Sequence, residues 1–424
     1  MSAPNLLEAN PHILSAIVEA ADSKSIVSSR DIYDDRGVKL WAKDQRVSAS
    51  LQQRLLERKL REPLEACLRA EDGITNIHLV EELDRLLASE HPLAQVLRSH
   101  EAMLHQQVRS LPLHSAMQLL LTVSSATRSG GFGHAILGMA LAGAMAHSAN
   151  LDRLSTRLAM LGGLFHDVGE MYIDPAYLNP RTAPGPNEFR HIVAHPAVGA
   201  ELIRALTDYP AVLAQGVCEH HERLDGTGYP KQVLGSAITP LGRMLAVVEV
   251  ALGVTAGRVA PLNRASFALR VVPGEFDSRW SGFISRAANG AAKETIGAAR
   301  ELASSTDHDI FELLAQVSAS IRCAERVQSS GGVSPVVREV CERVSLRLAR
   351  LEIAGNSIGL WAGVENATDP EAFERSAALR ELRFRMKGIR RECLWSRREL
   401  SEVDEQALFP VWDAVSPRPG DGDE

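Results

Sequence analysis

Histidine is a scarce residue, yet between Phe165 and Pro230 it recurs in tight clusters beside carboxylates and apolar runs. They are His166-Asp167, His195-Pro196 and His220-His221-Glu222, the last leading into Asp225-Gly226-Thr227-Gly228-Tyr229-Pro230. Imidazole nitrogen and carboxylate oxygen together form the donor set of a first-row transition metal, the nitrogens holding the ion and the oxygens offsetting its charge. Several such groups meeting in one fold would build a polynuclear site that activates water. Any one of these histidines alone is more simply a core or surface residue. The set is not.

Two further residues join by position. His134 opens the run AILGMALAGAMA, and Glu249 lies in RMLAVVEVALGV, apolar at every other position after Arg243. A buried carboxylate without a partner is costly, so Glu249 requires either a metal or a cation such as Arg243 or Arg258. His134 reads equally as a ligand or as a capping histidine. His191 stands four residues before His195, a spacing that also permits ligation, and a helix is expected to start at His195-Pro196. Neighbouring side chains on a helix diverge by about 100°. His166 and Asp167 therefore both reach one dinuclear centre only if it lies against the end of their helix, and the tandem His220-His221 suits two ions better than one.

The rest of the chain sets the frame. Its 424 residues suffice for two or three domains, and 45% apolar with 23% charged residues is an ordinary globular balance. A net charge of -7 argues against a general DNA binder. Five dispersed cysteines without a CxxC pair suggest reduced thiols. The N-terminus lacks a basic region and a long apolar core, and the runs Ala135–Ala146 and Met244–Val254 are too short to span a bilayer. The expectation is a cytoplasmic protein without membrane insertion.

The pattern is mainly α. Residues 1–70 read as a small accessory module, in which Asp31–Tyr33 and Val38–Trp41 flank a turn with Gly37. Ser48 or Ser50 is then expected to cap a helix reaching Lys59. Residues 71–124 form a helical connector, 125–290 the histidine-bearing domain and 291–410 a C-terminal helical region, while 411–424 is expected to be a disordered tail. Asn179–Asn187 reads as a loop by composition.

HDVGE at 166–170, HPAVG at 195–199, HHERLDGTGYP at 220–230 and RMLAVVE at 243–249 resemble the HD-GYP branch of the HD phosphohydrolase superfamily. The likeness covers about Ser125 to Phe283, and Phe276-Asp277 also fits. It implies an HD-type helical bundle that hydrolyses cyclic di-GMP through a metal-activated hydroxide, on two or three divalent ions, iron or manganese. Carried over by position, His134, His166, Asp167, His195, His220 and His221 are the metal ligands, with Asp167 able to bridge, and Glu249 is expected to ligate in place of the family's aspartate. Asp167 is then a catalytic carboxylate, and Glu170, this chain's own departure, is a catalytic candidate beside it, either as an extra metal ligand or as a charge that repels phosphate. Arg223, Arg243 and Arg258 are candidate phosphate clamps, and Tyr229 shapes the mouth of the pocket.

Four positions depart from that family. Glu170 stands where it usually has lysine, and Glu249 where it has aspartate. Gly130 replaces a glutamate, and Leu252-Gly253 lack a later aspartate. These departures keep two alternatives open: a degenerate protein that binds metal or nucleotide and signals by protein contact, or a phosphohydrolase of another nucleotide. Compatible partners are a cyclic dinucleotide, signalling proteins such as diguanylate cyclases, and a second copy in a homodimer. The arginine-rich stretch 377–400 reads either as a docking face for an acidic partner or as a solvated helix face paired with Glu381, Glu392 and Glu399.

Overall fold

The computed structural model describes residues 6–55, 58–178, 186–256, 261–290, 307–357, 369–395 and 400–416. Most of the loop expected at 179–187, and the tail beyond Ser416, lie outside these residues. The architecture is mainly α, with two short antiparallel ribbons. Two compact units are present, Met1–Thr182 with His191–Gly253, and Ala183–Arg190 with Val254–Glu424.

The first unit opens with α1 (Pro11–Ala20). The Asn10 side chain accepts hydrogen bonds from the N–H groups of His12 and Ile13, and Pro11 fills the first helical position. Next come β1 (Ile26–Ser28), β2 (Ile32–Tyr33), β3 (Lys39–Trp41), α2 (Ala49–Leu55), α3 (Leu64–Cys67) and β4 (Leu68–Ala70). The β2–β3 hairpin forms where the turn residues point, with the Asp34 carboxylate accepting from the N–H groups of Arg36 and Val38. The β1–β4 pairing has no counterpart in the sequence pattern. The helix expected to reach Lys59 is shorter, because Lys59 and Leu60 are drawn into bridges with Glu8 and Asp34. Arg58 pairs with the buried Asp34 carboxylate at 3.0 Å.

Helices then succeed one another: α4 (Asn76–Ala88), α5 (Pro92–Arg98), α6 (Glu101–Val108), α7 (Ser115–Thr127), α8 (Gly131–Ser148), α9 (Arg153–Phe165), α10 (Pro186–Leu206), α11 (Ala211–Cys218) and α12 (Pro240–Thr255). In α4, Leu79, Leu83 and Leu87 recur every four residues and are buried. Each contributes about 1.5–3 kcal/mol. Helix α8 is buried along Ile136–Ala146, as expected of a helix apolar on every side. It packs on α9 backbone to backbone: a Cβ on Gly163 would stand 2.3 Å from the Gly138 carbonyl oxygen.

Residues 1–70 are bonded into the rest of the first unit. Tyr172 donates its hydroxyl hydrogen to the buried Glu65, and Asn10 Nδ2 donates to the Tyr172 carbonyl at 3.2 Å. These bonds join the N-terminal elements to the segment that follows Asp167, within the first unit.

The second unit contains α13 (Pro261–Ala268), α14 (Ser278–Gly290) and the helices Asp307–Gln328, Pro335–Ser357, Asp369–Trp395 and Glu402–Ala414. Its core includes Val317, Val340, Leu348, Leu382 and Val411. The last helix enters the stretch expected to be tail, because a capping box between Ser401 and Asp404 starts it and Leu408 and Val411 are buried. In the arginine-rich helix, Arg385 is an interior ion-pair member, bonded to Glu275, Glu381 and the Ala268 carbonyl. Among the described residues, no helix is long and apolar enough to cross a membrane.

Candidate metal centre

The histidine-bearing segments converge mostly through helix ends. His134 lies in the first turn of α8, and His166 caps the C-terminus of α9. Asp167 then begins a 3-10 helix over Val168–Tyr172. His220 and His221 come just after the end of α11, and Glu249 projects from α12. Gly169 allows the 3-10 segment to lie against α10, since a Cβ there would meet the His195 carbonyl oxygen at 2.1 Å.

Helix α10 corrects one expectation. It begins at Pro186, and His195-Pro196 lies inside it. A proline in a helix interior has no N–H for the carbonyl four residues earlier, here that of Ile192. That carbonyl instead accepts from His195 Nδ1 at 2.6 Å. The proline thereby frees the acceptor that orients the imidazole. His166 Nδ1 bonds the Gly163 carbonyl at 2.9 Å and His220 Nδ1 that of Val217 at 2.6 Å in the same manner. In all three, Nε2 is left to face inward, the arrangement typical of metal-binding histidines.

Asp167 stands at the centre. Its Oδ2 lies 3.2 Å from His134 Nε2 and 3.0 Å from His166 Nε2, while its Oδ1 lies 3.5 Å from Nε2 of both His195 and His220. Glu249 approaches His166 Nε2 at 3.3 Å and His221 Nε2 at 3.9 Å. The donors divide into two groups, Asp167 with His195, His220 and His221, and His134 with His166, Asp167 and Glu249. Within each, the ligand atoms lie within 4.8 Å of one another, and Asp167 belongs to both. Nε2 of His134 and His166 and Oε2 of Glu249 are buried without a hydrogen-bond partner. They are close to each other but not aligned as donor and acceptor, which fits atoms gathered around a shared ion.

The electrostatics agree with that reading. Burial opposes ionisation of Asp167, but the surrounding imidazoles, His166 foremost, hold its carboxyl well below the usual carboxylate range. Burial, reinforced by His220 and His195, pushes His221 well below the ordinary histidine value and keeps it neutral, the form that ligates. Burial also works to lower His166, but the charges of Asp167 and Glu249 outweigh it and raise that group. A cation would relieve this concentration of negative charge. The residues present fit a divalent metal centre.

The other expected residues are spread around it. The Tyr229 ring stacks on the His221 ring. Arg223 donates from Nη1 to the Glu222 carbonyl at 2.9 Å, and Arg243 from Nε to that of Ile238 at 2.9 Å. Arg258 lies outside the described residues. His191 is exposed, pairs its ring with Tyr177 and belongs to neither donor group. The Glu170 carboxylate also falls outside both groups and accepts from Arg128 Nη1 at 3.1 Å.

Two residues carry roles that the sequence does not disclose. Arg128 has no local signature, because its partner is 42 residues away. Glu222 is buried and accepts from the N–H groups of Lys231 at 2.7 Å and Val233 at 3.0 Å, pinning the loop that carries Tyr229. Its place directly after His220-His221 is the available signal.

Residues 92–272 match the HD domain family model. The matched segment carries every residue of both donor groups, and its motifs are similar to those of HD-GYP proteins. Among curated proteins, it is 36% identical over 126 residues to cyclic di-GMP phosphodiesterase PA4108 of Pseudomonas aeruginosa, covering 30% of each chain. It is 31% identical over 121 residues to 3'3'-cGAMP-specific phosphodiesterase 3 of Vibrio cholerae, covering 28% of this chain and 25% of that one. The cyclic di-GMP phosphodiesterase response regulator RpfG of Xanthomonas campestris is 31% identical over 111 residues, 26% of this chain and 29% of that one. The similarity thus spans less than a third of these relatives' own lengths.

Proposed function

We propose that this protein is a metal-dependent phosphodiesterase that opens cyclic di-GMP. The observation that carries the proposal is Asp167, one carboxylate common to two four-residue donor groups. His134, His166 and Glu249 would hold one ion, and His195, His220 and His221 the other. Iron or manganese suits this mixture of imidazole and carboxylate, and a third ion would need a carboxylate where Gly130 stands. Divalent ions held there supply Lewis acidity and a nucleophile near neutral pH.

The chain's own residues do the remaining work. The carbonyls of Gly163, Ile192 and Val217 fix the imidazole orientations. Tyr229 holds the ring of His221 from one side. Arg223 and Arg243 are candidates for receiving the substrate phosphates, and the N-terminal elements are candidates for a sensing role.

Relatives named for 3'3'-cGAMP keep the substrate class at cyclic dinucleotides rather than one member. A second reading rests on Glu170, whose negative charge beside the centre favours a protein that binds nucleotide and signals through contact. Metal content and turnover together separate the two. Protein loaded anaerobically with iron, or with manganese, should convert cyclic di-GMP or 3'3'-cGAMP to a linear dinucleotide resolved by liquid chromatography. Metal-loaded protein that binds these nucleotides but leaves them intact would establish the second reading.

A further inference from the structure

Beside the donor groups stands an ion pair that metal binding does not explain. Glu170 comes three residues after Asp167 in a 3-10 segment, and its N–H bonds the Asp167 carbonyl at 2.9 Å. Side chains at that spacing in a 3-10 helix eclipse one another. The Glu170 carboxylate therefore shares a face with Asp167. Arg128, just past the end of α7, reaches it from another element: Nη1 donates to the carboxylate at 3.1 Å and Nη2 to the Glu170 carbonyl at 2.9 Å.

Exposure divides the surroundings into a floor and an open side. The side chains of His166, His195 and His220 are at most 2% exposed. Those of Asp167, Arg128 and Glu170 are 25%, 23% and 27% exposed. The pair thus shares the accessible side with the central carboxylate, where an anionic substrate would enter. Glu170 alone would repel such a substrate, and Arg128 neutralises it. A guanidinium carries five N–H donors. Among the described residues, two guanidinium nitrogens of Arg128 are engaged in hydrogen bonds, both to Glu170. The fork held by two bonds to one residue is preorganised to grip a second oxyanion with the donors that remain.

We propose that Arg128 is a phosphate-contacting residue of this site and that Glu170 is its positioning residue. The proposal deepens the phosphodiesterase reading and rests on it for the identity of the substrate, though not for the contact with phosphate. Metal-loaded full-length protein tests it with two probes, cyclic di-GMP and inorganic phosphate. Arg128→Ala should raise KM for cyclic di-GMP about tenfold or more with a smaller change in kcat, and should weaken inhibition or binding by phosphate, at unchanged metal content. Glu170→Gln should produce a milder rise in KM, and Arg128→Lys should recover only part of the loss because a point charge replaces the fork. If wild-type protein turns over no cyclic dinucleotide, the substrate reading fails. The phosphate arm still decides the role of Arg128. Phosphate affinity unchanged in Arg128→Ala, or lost only in step with metal, overturns the proposal.

Discussion

The rings of Tyr229 and His221 lie nearly parallel, 4.4 Å apart between centroids and 17° between planes. His166, His195 and His220 each have a backbone carbonyl against Nδ1, and for His221 the aromatic face is the neighbouring restraint. Tyr229→Phe should keep metal content and turnover near wild type, because the ring is retained. Tyr229→Leu should lower affinity for one ion about tenfold, the usual scale for loss of outer support. Equal metal binding by both variants, measured by competition with a chelator, would show that the stack does not orient His221.

Asp167→Ala should be the most damaging single change at the centre. It removes the carboxylate common to both donor groups, so elemental analysis should find most of the metal gone and turnover should fall at least about a hundredfold. The far-ultraviolet circular dichroism should stay close to wild type. Retention of two ions per chain would exclude the shared-ligand arrangement.

Pro196→Ala is expected to move stability and metal affinity in opposite directions. Alanine restores an N–H inside α10 and relieves a helix penalty of up to about 3 kcal/mol. The same N–H competes with His195 Nδ1 for the Ile192 carbonyl, so metal affinity should drop about tenfold. A raised melting temperature with unaltered affinity would mean that the freed carbonyl is not what orients His195.

Glu65 provides a pH dependence away from the metal. Burial raises its pKa above the ordinary 4.5, and the hydrogen bond from Tyr172 only partly offsets that. Over the window from the unfolded value up to the raised folded one, the native state binds the extra proton, so stability falls as pH increases. Glu65→Gln keeps a hydrogen-bond acceptor for Tyr172 without a titrating group. Its denaturation free energy should lack this decline and exceed wild type at neutral pH. Parallel pH profiles for the two proteins would remove Glu65 from the account.

The candidate donors stand out in the sequence because histidine beside carboxylate is chemically specific, and the structure gathers them into two groups. What the sequence obscures is position along elements. Pro196 looks like the first residue of a helix, its preferred place, and only the bond from His195 Nδ1 to Ile192 explains how it is accommodated inside one. The β1–β4 ribbon is hidden because three-residue strands carry little alternation and their partners are about forty residues apart. Arg128 is invisible for the same reason of distance. A side chain whose meaning comes from a remote carboxylate leaves no local pattern.

The crossing of α8 and α9 sets a calibre. Gly138 lies one turn after His134, Gly163 lies three residues before His166, and the Gly163 carbonyl that bounds the crossing also anchors the His166 ring. Main-chain atoms therefore gauge the separation of these two imidazoles, whose centroids are 5.3 Å apart. Side-chain cores drift under substitution, since apolar volumes can be traded among neighbours. A gauge made of two backbones cannot drift in that way. The interior around it is free to vary across sequences while the bite offered to an ion stays constant, and the two glycines are where that constancy resides.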